Sequence, residues 1–226
     1  MDTSAFALVD TSGNRPPLSG DRHLAGQEGS EVSSTAHQGP AEDLRLHLRA
    51  ATMAAHDLLD HSMQAASGWQ NLADYARFLS LQHAARAPVE AWLEDHAPVD
   101  LRPPAQTPLI ARDLAMLGLG LPEPAARFGM AEEHEGEALG AAWVLAGSAL
   151  GNKAILKQMR RASAAEGSEW PATFLSDEAM LTFWQNLRTR IERPASAAQA
   201  RAASEAASAV FAHFTAHAQH AGGLAA

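Results

Sequence analysis

From residue 41 to about residue 220 of this 226-residue chain, apolar residues recur every three or four positions. This spacing places them on one face of an α-helix, and it limits the fold more than any other feature of the sequence. No stretch alternates apolar and polar residues over the length of a strand. The sequence therefore predicts an all-α fold, a single-domain helical bundle over residues 41–221, with residues 222–226 as a flexible C-terminus.

Proline and glycine divide this region into six predicted helices. The first follows Pro40, carries Glu42 and Asp43 in its first turn, and ends before Gly68. The others cover residues 72–96 with a bend near Pro88, 109–117, 132–161, 177–192 with Asp177 as the cap, and a last helix to His220 stopped by Gly222 and Gly223. Residues 1–40 are polar and Ser-rich, with several prolines and glycines, and predict a disordered tail.

The composition excludes several classes of protein. The chain has no cysteine, which excludes disulfides, thiolate-ligated haem and iron–sulfur clusters, and fits a reducing cytoplasm. A formal net charge of −9 argues against nucleic acid or an anionic membrane as the main partner. No apolar run approaches the roughly 20 residues of a membrane span, and no secretory signal is visible. We therefore expect a cytoplasmic protein without a membrane span.

A histidine lies on the apolar stripe of the first predicted helix. Thr52 and Leu59 flank His56 one turn away on either side, and Arg49 and Arg45 lie seven and eleven residues earlier, close to the same line. The arginines are thus about 10 Å and 16 Å from His56 along the helix axis. A histidine with two arginines along the same side of a helix suits a flat, apolar ligand with a metal at its centre and carboxylates at one edge, such as haem. A buried core histidine beside solvated arginines is the commoner meaning of such a pattern.

The fourth predicted helix contains glycines within an apolar segment, AAWVLAGSALGNKAILKQM. Each interior glycine costs about 1 kcal/mol relative to alanine. Gly147 and Gly151 share one face, and Gly136 and Gly140 occur upstream in the same helix. A second helix or a planar cofactor could fill the groove at Gly147 and Gly151, and the sequence leaves both open.

Together these two segments resemble the haem oxygenase family over roughly residues 41–220. LRAATMAAHDLLD, with Thr52 and His56, resembles the proximal-histidine helix, and GSALGNKAIL resembles the kinked distal helix with its G-x-x-x-G-G core. Trp143-Val144-Leu145 is similar to the bacterial, biliverdin-producing members that accompany bacteriophytochromes. The resemblance implies a haem held between these two helices. His56 would be its iron ligand, and the other cofactor-binding residues would be Arg45, Arg49, Thr52, Leu59, Trp143, Leu150 and Phe211.

The resemblance assigns the catalytic side of the haem to Gly147, Ser148, Gly151 and Asn152. Ser148 stands where many members have an aspartate that organises water, and Asn152 replaces the second glycine of the doublet. A serine hydroxyl can still donate and accept a hydrogen bond. Along this helix no histidine or arginine faces the iron, which suits an enzyme that must not drive O–O cleavage by strong acid–base groups.

The implied activity is cleavage of haem to biliverdin, CO and iron, dependent on O₂ and electrons, with haem as both cofactor and substrate. Because the chain has no flavin or nicotinamide fingerprint, a ferredoxin or a flavoprotein reductase is the expected electron donor, and a bacteriophytochrome is a candidate product acceptor. Two alternatives stay open. One is a haem-binding protein of the same fold that does not degrade haem, and the other is a helical interaction module without haem.

Two other clusters of polar residues are weaker candidates. His213, His217 and His220 share one face of the last helix at a spacing that can bind a transition metal, but the segment is terminal and we do not predict a metal there. Four glutamates around His134 form an acidic helix start that we interpret as solvated. No histidine follows a glutamate by three residues, which excludes a ferritin-like di-iron site.

Overall fold

The computed structural model describes residues 43–131 and 135–224. These residues form six α-helices and one 3-10 helix, with no β-strand among them. The α-helices are α1 (Leu44–Ala66), α2 (Leu72–His96), α3 (Thr107–Met116), α4 (Glu135–Ala165), α5 (Ala179–Ile191) and α6 (Ala197–Leu224), and the 3-10 helix is Val99–Leu101. The predicted all-α class is confirmed. The predicted tail at 1–40 and the predicted start of the fourth helix at Glu132 lie outside the described residues.

Carboxylate side chains lie at the starts of α1 and α5, and the one at α1 is the N-cap residue. Asp43 is the N-cap of α1, where its carboxylate accepts a hydrogen bond from the Arg45 amide at 2.9 Å, so its prediction as a first-turn residue was wrong. A carboxylate just before a helix is stabilising because it satisfies amides that have no partner within the helix. The N-cap of α5 is Glu178, so the prediction of Asp177 as the cap was wrong, although Asp177 one residue earlier accepts a hydrogen bond from the Met180 amide at 3.1 Å. Helix α5 itself begins two residues later than predicted.

The predicted end of the last helix was wrong. Helix α6 continues through Gly222 and Gly223 to Leu224. A glycine ends a helix when it adopts a positive φ, and among the described glycines only Gly118 and Gly167 do so. Gly222 instead lies against α1, where an added Cβ would be 3.5 Å from the Cβ of Ala66. The packing of α6 on α1 therefore outweighs the local cost of two glycines, and residues 222–224 are helical.

Helix α6 lies at the centre of the bundle and packs along both α1 and α4, while α3 packs on α2 and α5 on α4. At the crossing of α4 and α6 the two backbones are close together. A Cβ added to Gly140 would lie 2.7 Å from the carbonyl carbon of Ala203 and closer still to its oxygen. A Cβ at Gly136 would lie 2.8 Å from the Cβ of Ala202. Gly136 and Gly140 thus allow the close approach of two helices.

Among the described helices, α4 is the one that is long and apolar enough to cross a membrane. Of its most apolar window, 61% is buried inside the protein. A core helix of a helical bundle has this length and composition as well, because it is covered by other helices on most sides.

Candidate functional site

A cavity lies between α1, α2, α4 and α6. Six residues predicted to contact haem line it together: His56, Leu59, Trp143, Gly147, Ser148 and Phe211. They come from three helices and are separated by up to 155 positions in the chain, so only the tertiary fold brings them together.

His56 projects from α1 with its side chain 15% exposed. Its ring meets the ring of Phe211 edge to face, with the centroids 5.8 Å apart. The Nδ1 atom lies 3.6 Å from Oδ2 of Asp60 and 3.8 Å from Oδ1 of Asp57, distances longer than a hydrogen bond but close enough for electrostatic orientation. Metal-ligating histidines commonly direct one ring nitrogen towards a carboxylate. Because both carboxylates lie on the Nδ1 side of the ring, a metal ligated by His56 would be bound through Nε2.

The α4 side of the cavity contains both a glycine and a polar side chain. Gly147 and Ser148 line it. The Ser148 hydroxyl donates to the carbonyl of Leu145 at 2.7 Å and accepts from Nη2 of Arg86 at 3.0 Å. Trp143 also lines the cavity, and its buried indole Nε1 has no hydrogen-bond partner. The α4 side therefore combines a backbone without a side chain at Gly147 with one unused hydrogen-bond donor, the Trp143 indole.

Helix α2 contributes residues that the sequence analysis missed. Gln82 and Arg86 line the cavity, and they are 3% and 1% exposed. Burial lowers the pKa of the Arg86 guanidinium, an effect that the carboxylate of Glu90 opposes, and the group stays charged because an arginine in a protein does not lose its proton. The sequence held a signal for these residues, since both fall on the buried stripe of α2 with Leu79 and Val89, at helical spacing.

Arg86 corrects one expectation about this site. The absence of histidine and arginine was inferred from the sequence of the glycine-bearing helix alone. In the structure a second helix, α2, reaches the same side of the cavity and places Arg86 within hydrogen-bond distance of Ser148. Val144, Leu145 and Phe214 complete the lining as further apolar residues.

The remaining predicted residues are not among the described residues that line the cavity: Arg45, Arg49, Thr52, Leu150, Gly151 and Asn152. Arg45 lies near Glu192, with Nη1 3.7 Å from Oε1. The buried Thr52 hydroxyl donates to the Leu48 carbonyl one turn earlier in α1. Gly151 and Asn152 are buried within α4. Their contacts with haem stay predictions.

His213 of α6 contacts other parts of the fold. Nε2 of His213 lies 3.1 Å from the carbonyl oxygen of Ala85, and its ring meets that of Phe128 edge to face. Burial lowers the pKa of His213. The pKa of His217 is also lowered, first by burial and then by the neighbouring histidines at 213 and 220. Within the described ranges, no group of three or more histidine, aspartate or glutamate side chains is arranged to hold a metal ion.

Comparisons of the chain with protein families, with curated proteins and with solved structures find no match. The resemblance to haem oxygenases therefore depends on the residues quoted above, and the family assignment stays a prediction.

Proposed function

We propose that this protein is a haem oxygenase, which cleaves haem to biliverdin, CO and iron with O₂ and external electrons. One observation carries the proposal. The segments that resemble the proximal and the distal helix of haem oxygenases line one cavity. They do so although His56 and Gly147 are 91 residues apart in the chain.

The residues present fit haem. The described residues lining the cavity are mostly apolar and include no carboxylate, which suits the porphyrin face. His56 would ligate the iron through Nε2, with Asp60 and Asp57 orienting the ring from the Nδ1 side. Gly147 would let the α4 backbone approach the opposite face. When bound, haem supplies both the iron that binds O₂ and the ring that is cleaved.

The other cavity residues would control water and protons. Phe211, Phe214 and Leu59 would exclude bulk water. Ser148 has the one hydroxyl among the described lining residues and holds it in a fixed position between Leu145 and Arg86. Because no flavin or nicotinamide fingerprint is present, we expect electrons from a ferredoxin or a flavoprotein reductase.

Arg86 favours a second candidate function, a haem-binding protein of the same fold that does not degrade haem. The degradation reaction is expected to need a cavity without a strong charged donor beside the ligand site. The Arg86 guanidinium is such a donor, and it contacts Ser148 directly.

Titration with haemin tests the proposal against a protein that does not bind haem. We expect a Soret band shifted from that of free haemin, loss of histidine coordination in His56→Ala, and retention of both in His61→Ala. His61 is a matched control because it lies on the same helix with an exposed side chain. Absence of the Soret shift, or a shift unaffected by His56→Ala, would overturn both haem functions.

Reduction of the haem complex in air separates the two candidate functions. With ascorbate, or with a ferredoxin and its reductase, we expect loss of the Soret band and formation of a pigment that absorbs red light and co-elutes with biliverdin. A Soret band that persists through repeated reduction in air would favour the non-degrading protein.

A further inference from the structure

Arg86 is a buried cation with incomplete hydrogen bonding. Its side chain is 1% exposed. Nη2 donates to Ser148, and the guanidinium carbon lies 5.6 Å from the centre of the Phe174 ring. The Nε and Nη1 atoms are buried and have no hydrogen-bond partner. Because a guanidinium carries five N–H donors, most of its capacity is unused.

No described acidic side chain neutralises this cation through a hydrogen bond. Glu90 is the carboxylate with the largest electrostatic effect on it. However, both Glu90 oxygens accept hydrogen bonds from the start of α3 and the residue before it. Oε1 accepts from the Gln106 amide at 2.8 Å, and Oε2 accepts from the Thr107 amide at 3.2 Å and the Thr107 hydroxyl at 2.7 Å. The Ser148 hydroxyl is neutral and donates its proton elsewhere. Burying a charge is costly unless an opposite charge or strong hydrogen bonds compensate for it.

Two other polar side chains with N–H groups, Trp143 and Gln82, line the cavity with Arg86. The buried indole Nε1 of Trp143 has no partner, and Gln82 lies one turn before Arg86 on α2. Both residues line the same cavity, whose described lining has no carboxylate. A buried cation with unused donors, in a cavity that also contains the unused Trp143 donor and no carboxylate in its described lining, is complementary to an anion.

We propose that Arg86, supported by Ser148, is the anion-binding group of this cavity, and that in the haem complex it stabilises an anionic ligand on the iron. This inference rests on the proposed haem binding through His56. It deepens that proposal by assigning a ligand class, a small anion, to the α2 and α4 side of the cavity. The fixed acceptor at Ser148 holds the guanidinium towards the cavity instead of letting it reach solvent.

Fluoride affinity of the ferric haem complex tests the inference, with carbon monoxide binding to the ferrous complex, measured without O₂, as the neutral reference. Because Arg86 would donate a charge-assisted hydrogen bond to fluoride, we expect Arg86→Leu to weaken fluoride binding by about tenfold or more. Arg86→Lys keeps the charge but loses the planar fork, and we expect an intermediate loss. Carbon monoxide affinity is expected to change less than about threefold, because a neutral ligand gains little from the cation.

Arg77→Leu is the matched control. Arg77 lies on the same helix, its side chain is 54% exposed, and it pairs with Asp74, so the variant loses the same charge at the surface. We expect its fluoride affinity to equal that of the unchanged protein. If Arg86→Leu does not fold, as judged by circular dichroism, the loss in Arg86→Lys decides the question.

The possible failures are distinguishable. Equal fluoride affinity in the Arg86 variants and the unchanged protein, with haem binding still dependent on His56, would overturn this inference alone and indicate that water satisfies the Arg86 donors. An equal loss for fluoride and carbon monoxide would also overturn it, because it would indicate a change in cavity shape. If the protein does not bind haem, or binds it equally well after His56→Ala, both this inference and the proposed function are overturned.

Discussion

Replacing Gly140 with alanine tests the crossing that fixes α4 against α6. The added Cβ would lie 2.7 Å from the carbonyl carbon and 2.9 Å from the Cα of Ala203, whereas carbon atoms in contact are about 3.5–4.0 Å apart. The helices must therefore separate locally by roughly 1 Å. Such overpacking costs about 1–3 kcal/mol, with the upper end expected against a rigid backbone. Alanine recovers about 1 kcal/mol of helix propensity.

We therefore expect Gly140→Ala to lower the free energy of unfolding by about 2 kcal/mol. For a chain of this size that is a decrease in Tm of roughly 4–8 °C. Urea denaturation followed by circular dichroism measures the first quantity, and a thermal scan measures the second. Haemin affinity is expected to fall as well, because α4 and α6 both contribute to the cavity lining.

Two matched variants make the reasoning refutable. Gly129→Ala adds the same methyl group where no atom lies within 4 Å, and we expect a change below about 0.5 kcal/mol. In Gly136→Ala the added methyl group would clash with the Cβ of Ala202. We therefore expect Ala202→Gly to remove this clash and restore stability in a double-mutant cycle. Ala203→Gly is expected to give no such relief to Gly140→Ala, because there the contact is with the backbone. Equal stability of Gly140→Ala and Gly129→Ala would refute the close crossing.

Two further predictions concern stability. Asp113 is fully buried and accepts hydrogen bonds from the backbone amides of residues 173 and 174, each at 2.9 Å. Asp113→Asn leaves one of these amides facing an NH₂ group, and we expect the free energy of unfolding measured in urea to fall by about 2–3 kcal/mol. For the control Asp95→Asn, at an exposed position, we expect a fall of less than about 0.5 kcal/mol. His213 has a pKa lowered by burial in the folded state, against the opposing hydrogen bond to the Ala85 carbonyl. The unfolded chain then binds the proton more tightly, so stability is full above the unfolded pKa of about 6.5 and falls as the pH drops below it. Unfolding measured at pH 7.5 and pH 5.5 should show a smaller acid-induced loss in His213→Gln than in the unchanged protein, and an equal loss would contradict this origin.

The sequence was informative about the α1 side of the cavity and incomplete about the α2 side. His56 could be found because a polar residue interrupts the apolar stripe of α1, and that pattern is local. Gln82 and Arg86 interrupt the buried stripe of α2 in the same way, but an arginine on such a stripe often extends its charged end to solvent. Only the contact of α2 with α4 shows that Arg86 is enclosed beside Ser148.

The sequence by itself determined the all-α class and the approximate positions of the helices, because these depend on apolar periodicity within one or two turns. Tertiary structure alone decided which glycines serve a helix crossing and which line a cavity. Gly136, Gly140 and Gly147 are alike in local sequence terms, since each only removes a side chain from α4. Their different roles arise because α6 packs directly against α4 at the first two, whereas the third lines the cavity. The spatial relation of helices distant in sequence fixes that difference, and no local pattern encodes it.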